Sequence, residues 1–288
     1  MAPVVRVAVI GAGTMGHGIA YVAAAAGYAV TVFDSDSKTL ERGMSRIRAS
    51  FEKGIELGKL TAEERDSALW CLSASQELAG SVAGSDLVIE AIPEQLALKK
   101  NLFEQIEPLV GGDTLLATNT SSLSITEIAA SLGRRDRVLG LHFFNPVPAM
   151  RLIEIVRGRE TSDHATETAR QFAASLGKTA IVVRDSPGFA TSRLGVVLGL
   201  EAIRMLEQEV ASAEDIDRAL ELGYNHPMGP LRLTDVVGLD VRLAIAEHLH
   251  ETMKDDTYRP PALLRDLVKR GHLGKKTGQG FYRWESES

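Results

Sequence analysis

The first 34 residues of the chain constrain its fold more than any other stretch. Residues 4–10 are a Val-rich apolar run of the kind that forms a strand buried on both faces, and they lead directly into Gly11-Ala12-Gly13-Thr14-Met15-Gly16. An Ala-rich helical segment follows (HGIAYVAAAA), stopped by Gly27, and a second strand over residues 29–33 ends in Asp34. In a G-x-G-x-x-G turn the glycines let the backbone bend tightly and approach a pyrophosphate, whose charge is met by the amide end of the helix. Gly11, Gly13, Thr14, Met15 and Gly16 are therefore candidate cofactor contacts. An acidic residue about 20 positions further on, at a strand end, accepts from both ribose hydroxyls and repels a 2′-phosphate, so Asp34 favours NAD over NADP. A lone glycine motif also fits a tight turn in other α/β proteins. It is the succession of strand, glycines, helix, strand and acid that points to a dinucleotide.

The remaining composition sets limits. At 288 residues the chain can bury a substantial core, in one large domain or two smaller ones. Hydrophobic residues at 44% with 24% charged argue against disorder and against a fibrous protein. A net charge of -6 offers no general attraction to nucleic acid or an anionic membrane, so a polyanionic ligand needs a local basic site. One cysteine, Cys71, excludes an internal disulfide and fits a reducing compartment. The N-terminus reads as a strand rather than a signal peptide, and no stretch approaches the apolar length of a membrane span. A cytoplasmic location is expected, with no metal required.

Along the chain, residues 38–59 have helical spacing and carry Arg42, Arg46, Arg48 and Lys53, which read by default as a solvated face. Thr61 and Glu64 are spaced as a capping box. Residues 86–92 (DLVIEAI) read as a buried strand, with Pro93 placed to start the next helix. Residues 115–118 form a further strand, followed by Asn119, Thr120, Ser121 and Ser122 at the edge where open α/β sheets bind ligands, and by a second box at Ser124 and Glu127. Asn119 and Ser121 join the candidate cofactor contacts. A helix over residues 162–176 and a strand over 179–183 complete an alternation that defines one doubly wound parallel sheet. Past Ser186-Pro187-Gly188 only helical periodicity remains. The expected architecture is a Rossmann-type α/β sheet over residues 1–184 and a smaller all-α domain over 185–288. The helix after Phe189 is apolar on more than one face, which calls for burial in a bundle core or against a second subunit.

Between the last two strands stands HFFNPVPAMRLIE, residues 142–154. Its Pro-rich turn cannot continue a helix. If the flanking apolar segments are extended, His142 and Glu154 face each other across that turn. A carboxylate on one imidazole nitrogen fixes the tautomer and stabilises the imidazolium, which makes a general base with its orienter. By itself the stretch reads better as a half-buried histidine and an unrelated strand glutamate.

Taken together, VIGAGTMGHGIA, DLVIEAIPE, ATNTSSLSI, GLHFFNPVPAM, SPGF, HPMGPL and GKKTGQGFY closely resemble the short-chain L-3-hydroxyacyl-CoA dehydrogenases, including 3-hydroxybutyryl-CoA dehydrogenases, from one end of the chain to the other. The resemblance implies that His142 takes the 3-hydroxyl proton while hydride leaves C3 for NAD, and that Glu154 holds the imidazole. It implies that Ser121 contacts substrate and cofactor, and that Asn145 lies near the nicotinamide and thioester. Asp34, Glu94, Lys99 and Lys276 match cofactor contacts, Ser50 a CoA contact, and Lys53 is placed at the CoA phosphates. One departure stands out: the family's PGFxxNR is PGFATSR here, so Ser192 replaces an Asn and is expected to keep a substrate-facing role with altered contact. An acyl-CoA substrate, a place in fatty acid β-oxidation and a homodimer through the helical domain are also implied. Two other classes are compatible with the cofactor half: a dehydrogenase of free hydroxy acids or sugar acids, and a non-catalytic cofactor-binding protein of the same fold. A preference for thioester over free acid separates the first; the second needs none of Ser121, His142, Asn145 and Glu154.

Overall fold

The apolar run that opens the chain forms β1 (Arg6–Ile10), buried over its last four residues. The computed structural model describes residues 4–285, in two compact units that divide between Ser186 and Pro187. In the first unit β1 is followed by α1 (Gly16–Ala25), β2 (Ala29–Phe33) and α2 (Ser37–Glu56), which Asp36 caps by accepting from Thr39 N. Thr61 and Glu64 make the reciprocal box that opens α3 (Ala62–Trp70). Then come β3 (Leu72–Ser75), α4 (Leu78–Val82), β4 (Leu87–Glu90), α5 (Leu96–Ile106), β5 (Leu115–Thr118) and α6 (Ile125–Ala129). β6 (Val138–Phe143), β7 (Leu152–Arg157), α7 (Asp163–Ser175) and β8 (Thr179–Arg184) complete the unit.

These strands form one sheet in the order β3-β2-β1-β4-β5-β6-β7-β8. β2 and β4 flank β1, so the order reverses there and leaves a crevice beyond the carboxyl ends of β1 and β4, where such sheets take ligands. Helices and a mainly parallel sheet agree with the Rossmann-type expectation, but the sheet is not wholly parallel. β7 runs antiparallel to β6, and β8 runs parallel to β7. The connection between Phe143 and Leu152 is too short for the crossover that parallel neighbours require. Two elements of this unit went unread in the sequence. β3 is LSAS, a half-polar strand at the sheet edge without the alternation that marks a strand, and α4 spans barely more than one turn. Pro93 does not open a helix either: Gln95 N donates to Pro93 O in a turn, and α5 starts at Leu96.

The core of this unit lies between sheet and helices, with Val9, Ile19, Phe51, Ile89, Leu141 and Phe172 fully or almost fully buried. Glycines decide how closely α1 approaches. A Cβ on Gly16 would fall 1.7 Å from Gly11 O, and one on Gly18 would fall 2.9 Å from Val147 Cβ.

The second unit is helical: α8 (Thr191–Glu207), α9 (Ala213–Gly223), α10 (Pro230–Val237), α11 (Leu239–Met253) and α12 (Ala262–Lys269). Val196, Leu200, Ile203, Leu231, Leu239 and Leu249 form its core. Two buried carboxylates tie it together. Asp217 accepts from Leu231 N and Arg232 N at the start of α10 and from Tyr282 Oη; Asp235 accepts from Phe281 N, Tyr282 N and Trp284 Nε1. The glycine-punctuated tail is thereby fastened to α10, and a Cβ on Gly280 would strike Asp235 Oδ1 at 2.2 Å. Among the described residues no helix is long and apolar enough to cross a membrane.

The glycine geometry separates two substitutions in one motif. Gly16→Ala forces backbone apart and is expected to lower unfolding free energy by about 1–3 kcal/mol or more, whereas Gly13→Ala, where a Cβ meets nothing within 4 Å, changes it by about 0.5 kcal/mol or less. Urea unfolding of both variants measures the difference.

Candidate active site

The glycine turn and the end of β2 line one cleft of about 530 Å³, with Gly11, Gly13, Thr14, Met15, Asp34 and Ile92 among its walls. Asp34 Oδ2 accepts from Ala12 N at 2.9 Å and Oδ1 from Asp36 N at 3.0 Å, so its carboxylate is held at the rim by backbone alone. Space over Gly13 is open, which is what close approach of a pyrophosphate requires. Gly16 lies beneath Gly11 and serves the turn rather than the cleft wall. These residues fit a dinucleotide.

At the carboxyl ends of β4 and β5 a second group of polar side chains gathers. Glu90 and Lys99 form a buried ion pair at 2.6 Å, and Thr118 Oγ1 donates to Glu90 Oε2 at 2.6 Å. Burial outweighs these partners and pushes the Glu90 carboxyl up. Lys99 Nζ also lies 3.3 Å from Glu94 Oε2, so the ammonium sits between two carboxylates and is itself enclosed. Glu94 Oε1 accepts from Thr120 Oγ1 at 2.5 Å, from Ser121 N at 2.9 Å and from Ser121 Oγ at 3.3 Å. Burial pushes Glu94 up, but the hydrogen bonds from Thr120 and Ser121 together with the Lys99 charge outweigh it and leave its carboxyl below the usual range. Ser121 is thus positioned by Glu94. Ser124, by contrast, caps α6 by accepting from Glu127 N and donates to Asp185.

β6 and β7 carry the imidazole and its carboxylate. Their antiparallel register sets His142 directly opposite Glu154, and opposed residues of such a pair share a face. His142 Nδ1 donates to Glu154 Oε2 at 2.7 Å, with Glu154 fully buried and His142 7% exposed. The Phe144 ring stands 4.3 Å from the imidazole, centroid to centroid. Asn119 Oδ1 accepts from Phe143 N, which joins the end of β5 to the end of β6. Asn145 opens the turn through a cis bond to Pro146. Lys178, at the foot of β8, reaches under that turn and donates to Val147 O at 2.7 Å and Met150 O at 2.6 Å; burial pushes its ammonium down.

A further cleft of about 620 Å³ opens on the far side of the same turn, lined by Tyr21, Ser50, Lys53, Lys59, Pro146 and Pro148 among others. It brings Ser50 and Lys53 of α2 beside the proline turn. Ser192 and Lys276 belong to the second unit: Ser192 is the second residue of α8, and Lys276 Nζ is paired with Asp240 at 2.5 and 2.7 Å. Sequence reasoning missed Glu90, Lys178 and Lys59. Glu90 was visible only as an acid inside an apolar strand; Lys178 and Lys59 carry no local signal, because their roles come from elements distant in sequence.

The fold and these side chains define a dinucleotide-binding sheet bearing an imidazole–carboxylate pair on its adjacent strands β6 and β7. The family described as 3-hydroxyacyl-CoA dehydrogenase, NAD binding domain, matches residues 6–186, and 3-hydroxyacyl-CoA dehydrogenase, C-terminal domain, matches residues 188–284. The chain is 44% identical over 283 residues to a probable 3-hydroxybutyryl-CoA dehydrogenase of Bacillus subtilis, covering 98% of each chain. It is 45% identical over 281 residues to the 3-hydroxybutyryl-CoA dehydrogenase of Mycobacterium tuberculosis, covering 97% of this chain and 98% of that one. Among solved structures, (S)-3-hydroxybutyryl-CoA dehydrogenase from Ralstonia eutropha superposes with a TM-score of 0.94 at 41% identity, covering 98% of this chain and all of that one. The protein belongs to the 3-hydroxyacyl-CoA dehydrogenase family, and its first unit is that family's NAD-binding domain.

The Glu94 network has a pH signature. Its lowered carboxyl stabilises the fold fully above the ordinary glutamate range, about 4.3, and that contribution disappears as pH falls through the lowered value. The Tm difference between wild type and Glu94→Gln is therefore expected to be largest at neutral pH and to narrow in acid; a difference constant down to pH about 3 would contradict the assignment.

Proposed function

We propose that the protein is a cytoplasmic NAD-dependent (S)-3-hydroxyacyl-CoA dehydrogenase, acting on the four-carbon 3-hydroxybutyryl and acetoacetyl thioesters and serving fatty acid β-oxidation. The observation that carries this reading is the buried His142–Glu154 pair, set at the end of β6 in the same sheet as the dinucleotide cleft. Oxidation of a secondary alcohol removes a proton from oxygen and a hydride from the same carbon. NAD, when bound, accepts that hydride. With the Nδ1 proton donated to Glu154, the neutral ring carries its lone pair on Nε2, so His142 Nε2 is the atom that takes the hydroxyl proton. Glu154 stabilises the resulting imidazolium and keeps the ring in the tautomer that can accept. In reverse, the imidazolium returns the proton to the carbonyl oxygen.

The remaining residues bind and orient. Gly11, Gly13, Thr14, Met15 and Asp34 hold the cofactor, with Asp34 excluding a 2′-phosphate. Glu94 presents Ser121 to substrate and cofactor, and Lys99, enclosed between Glu90 and Glu94, acts on the cofactor through Glu94. Asn119 and Asn145 flank the imidazole strand. Ser50, Lys53 and Lys59 offer a hydroxyl and two ammoniums to the phosphates of CoA, which answers the need for a local basic site in an acidic protein. Lys276 and Ser192, in the helical unit, are assigned to cofactor and substrate respectively.

Assembly is proposed to be a homodimer through the helical unit. α8 buries Val196, Leu200 and Ile203 in its own bundle yet leaves Leu194 66% and Leu198 44% exposed, and Val236, Val237 and Val241 are exposed as well. That exposure supports an association surface on this unit. Light scattering after size exclusion is expected to give twice the chain mass at micromolar concentration, and a monomer would refute it.

Activity is tested by NADH consumption with acetoacetyl-CoA and with free acetoacetate. The thioester is expected to react and the free acid to lag far behind; equal rates would favour a free hydroxy acid dehydrogenase. His142→Ala is expected to lower kcat by about 10²–10⁴-fold, and Glu154→Gln by at least about tenfold, with NADH affinity little changed. A Glu154→Gln enzyme with normal turnover would remove the orienter from the mechanism.

A further inference from the structure

Among the described residues of the first unit two carboxylates are fully buried, Glu154 and Glu90, and the chemistry above uses only the first. Glu90 closes β4, whose other residues are Leu, Val and Ile. Burial pushes its carboxyl up in spite of Lys99 and the other donors around it. A buried ion pair seldom adds net stability over apolar side chains of the same volume, so stability does not account for the acid. Its position does. Glu90 stands level with Ile10 at the end of β1 on one side and with Thr118 at the end of β5 on the other. The first of those ends leads into the glycine turn at Gly11, the second into the polar residues 119–122.

The two oxygens of Glu90 divide between these sides. Oε1 accepts from Ile92 N at 2.7 Å and from Lys99 Nζ at 2.6 Å. Ile92 lines the dinucleotide cleft together with Ala91 and Pro93, and Ala91 O is the atom that a Cβ on Gly11 would meet at 2.7 Å. Holding Ile92 therefore sets the cleft wall against the glycine turn. On the other side Oε2 accepts from Thr118 Oγ1 at 2.6 Å, and Thr118 Oγ1 accepts from Thr120 N at 3.3 Å. Thr120 Oγ1 donates to Glu94, which also accepts from Ser121 N. Only a carboxylate presents an acceptor oxygen in both directions, since an amide or a hydroxyl has a single oxygen. Lys99 supplies the opposite charge that a buried carboxylate needs.

We propose that Glu90 is a positioning residue for the reaction: its carboxylate fixes the wall of the dinucleotide cleft relative to the loop that carries Ser121, so that cofactor and serine hydroxyl keep one mutual geometry. The inference rests on the reading of Ser121 as a substrate and cofactor contact. Fully buried, Glu90 is out of reach of either ligand. It acts through Ile92 on the cofactor and through Thr118 on the serine loop. Placement of this kind matters because a shift of about 1 Å between reacting groups costs about a hundredfold in rate.

The test compares Lys99→Met with Glu90→Met/Lys99→Met. Lys99→Met leaves Glu90 its contacts with Ile92 N and Thr118 Oγ1, as a carboxyl that burial already pushes up. The double variant removes both acceptor oxygens and strands no charge, so its Tm is expected at or above that of Lys99→Met. Relative to Lys99→Met it is expected to weaken NADH binding, read by fluorescence titration, about tenfold and to lower kcat with acetoacetyl-CoA about tenfold or more. Thr118→Val cuts only the serine branch; kcat is expected to fall about tenfold while NADH affinity stays within about twofold of wild type. A double variant that binds NADH and turns over like Lys99→Met makes Glu90 merely structural and overturns the proposal. Should the double variant not fold, Thr118→Val decides: an unchanged kcat, or a loss of NADH affinity as large as the loss of kcat, overturns it. Should wild type fail to reduce acetoacetyl-CoA, the reading of Ser121 falls; NADH affinity of the two Lys99 variants then decides for Glu90, and equal affinities refute it.

Discussion

The hydrogen bond between His142 and Glu154 is the interaction on which the chemistry of this molecule depends. It exists because β7 folds back against β6 instead of crossing over, which sets residue 142 opposite residue 154. A fully buried carboxylate is tolerated only where partners meet its charge, and here one partner is the group whose protonation the reaction changes. The turn between the strands is consequently held hard: Lys178 grips two of its carbonyls from below, and Gly18 lets α1 pack directly on Val147.

The same logic recurs along the carboxyl edge of the sheet. Glu90, Lys99, Glu94 and Ser121 form a chain of contacts in which each buried charge is answered by the next, and the chain ends at a serine beside the ligand crevice. Asp34 is held differently, by backbone amides, so its carboxylate is fixed without consuming a cation. In the helical unit Asp217 and Asp235 fasten the tail through amides, a hydroxyl and an indole, again leaving cations unspent. Arg242 differs, being 5% exposed with an Nε that finds no hydrogen-bond partner among the described residues.

Much of the frame was legible in the linear sequence because it follows from local rules. The run into Gly11, the stop at Gly27 and the acid at Asp34 are close in sequence, and the boxes at Thr61 and Ser124 announce α3 and α6 a few residues ahead. What failed did so for want of local signal. β3 is strand only because β2 offers it an edge, Pro93 turns instead of starting α5, and the reversal at β7 follows from the length of a connection rather than from any strand residue.

The sequence by itself determined the dinucleotide turn, the succession of strands and helices, the change to an all-helical second half, and the candidacy of His142 and Glu154, because each depends on residues close together in the chain or on periodicity. Tertiary structure alone decided that His142 and Glu154 meet at 2.7 Å, that Glu94 rather than a cap organises Ser121, and that Lys53 and Lys59 share a cleft with Pro146. Each of those facts is a distance between segments far apart in sequence. Such distances are set by packing and register, which residue order does not display.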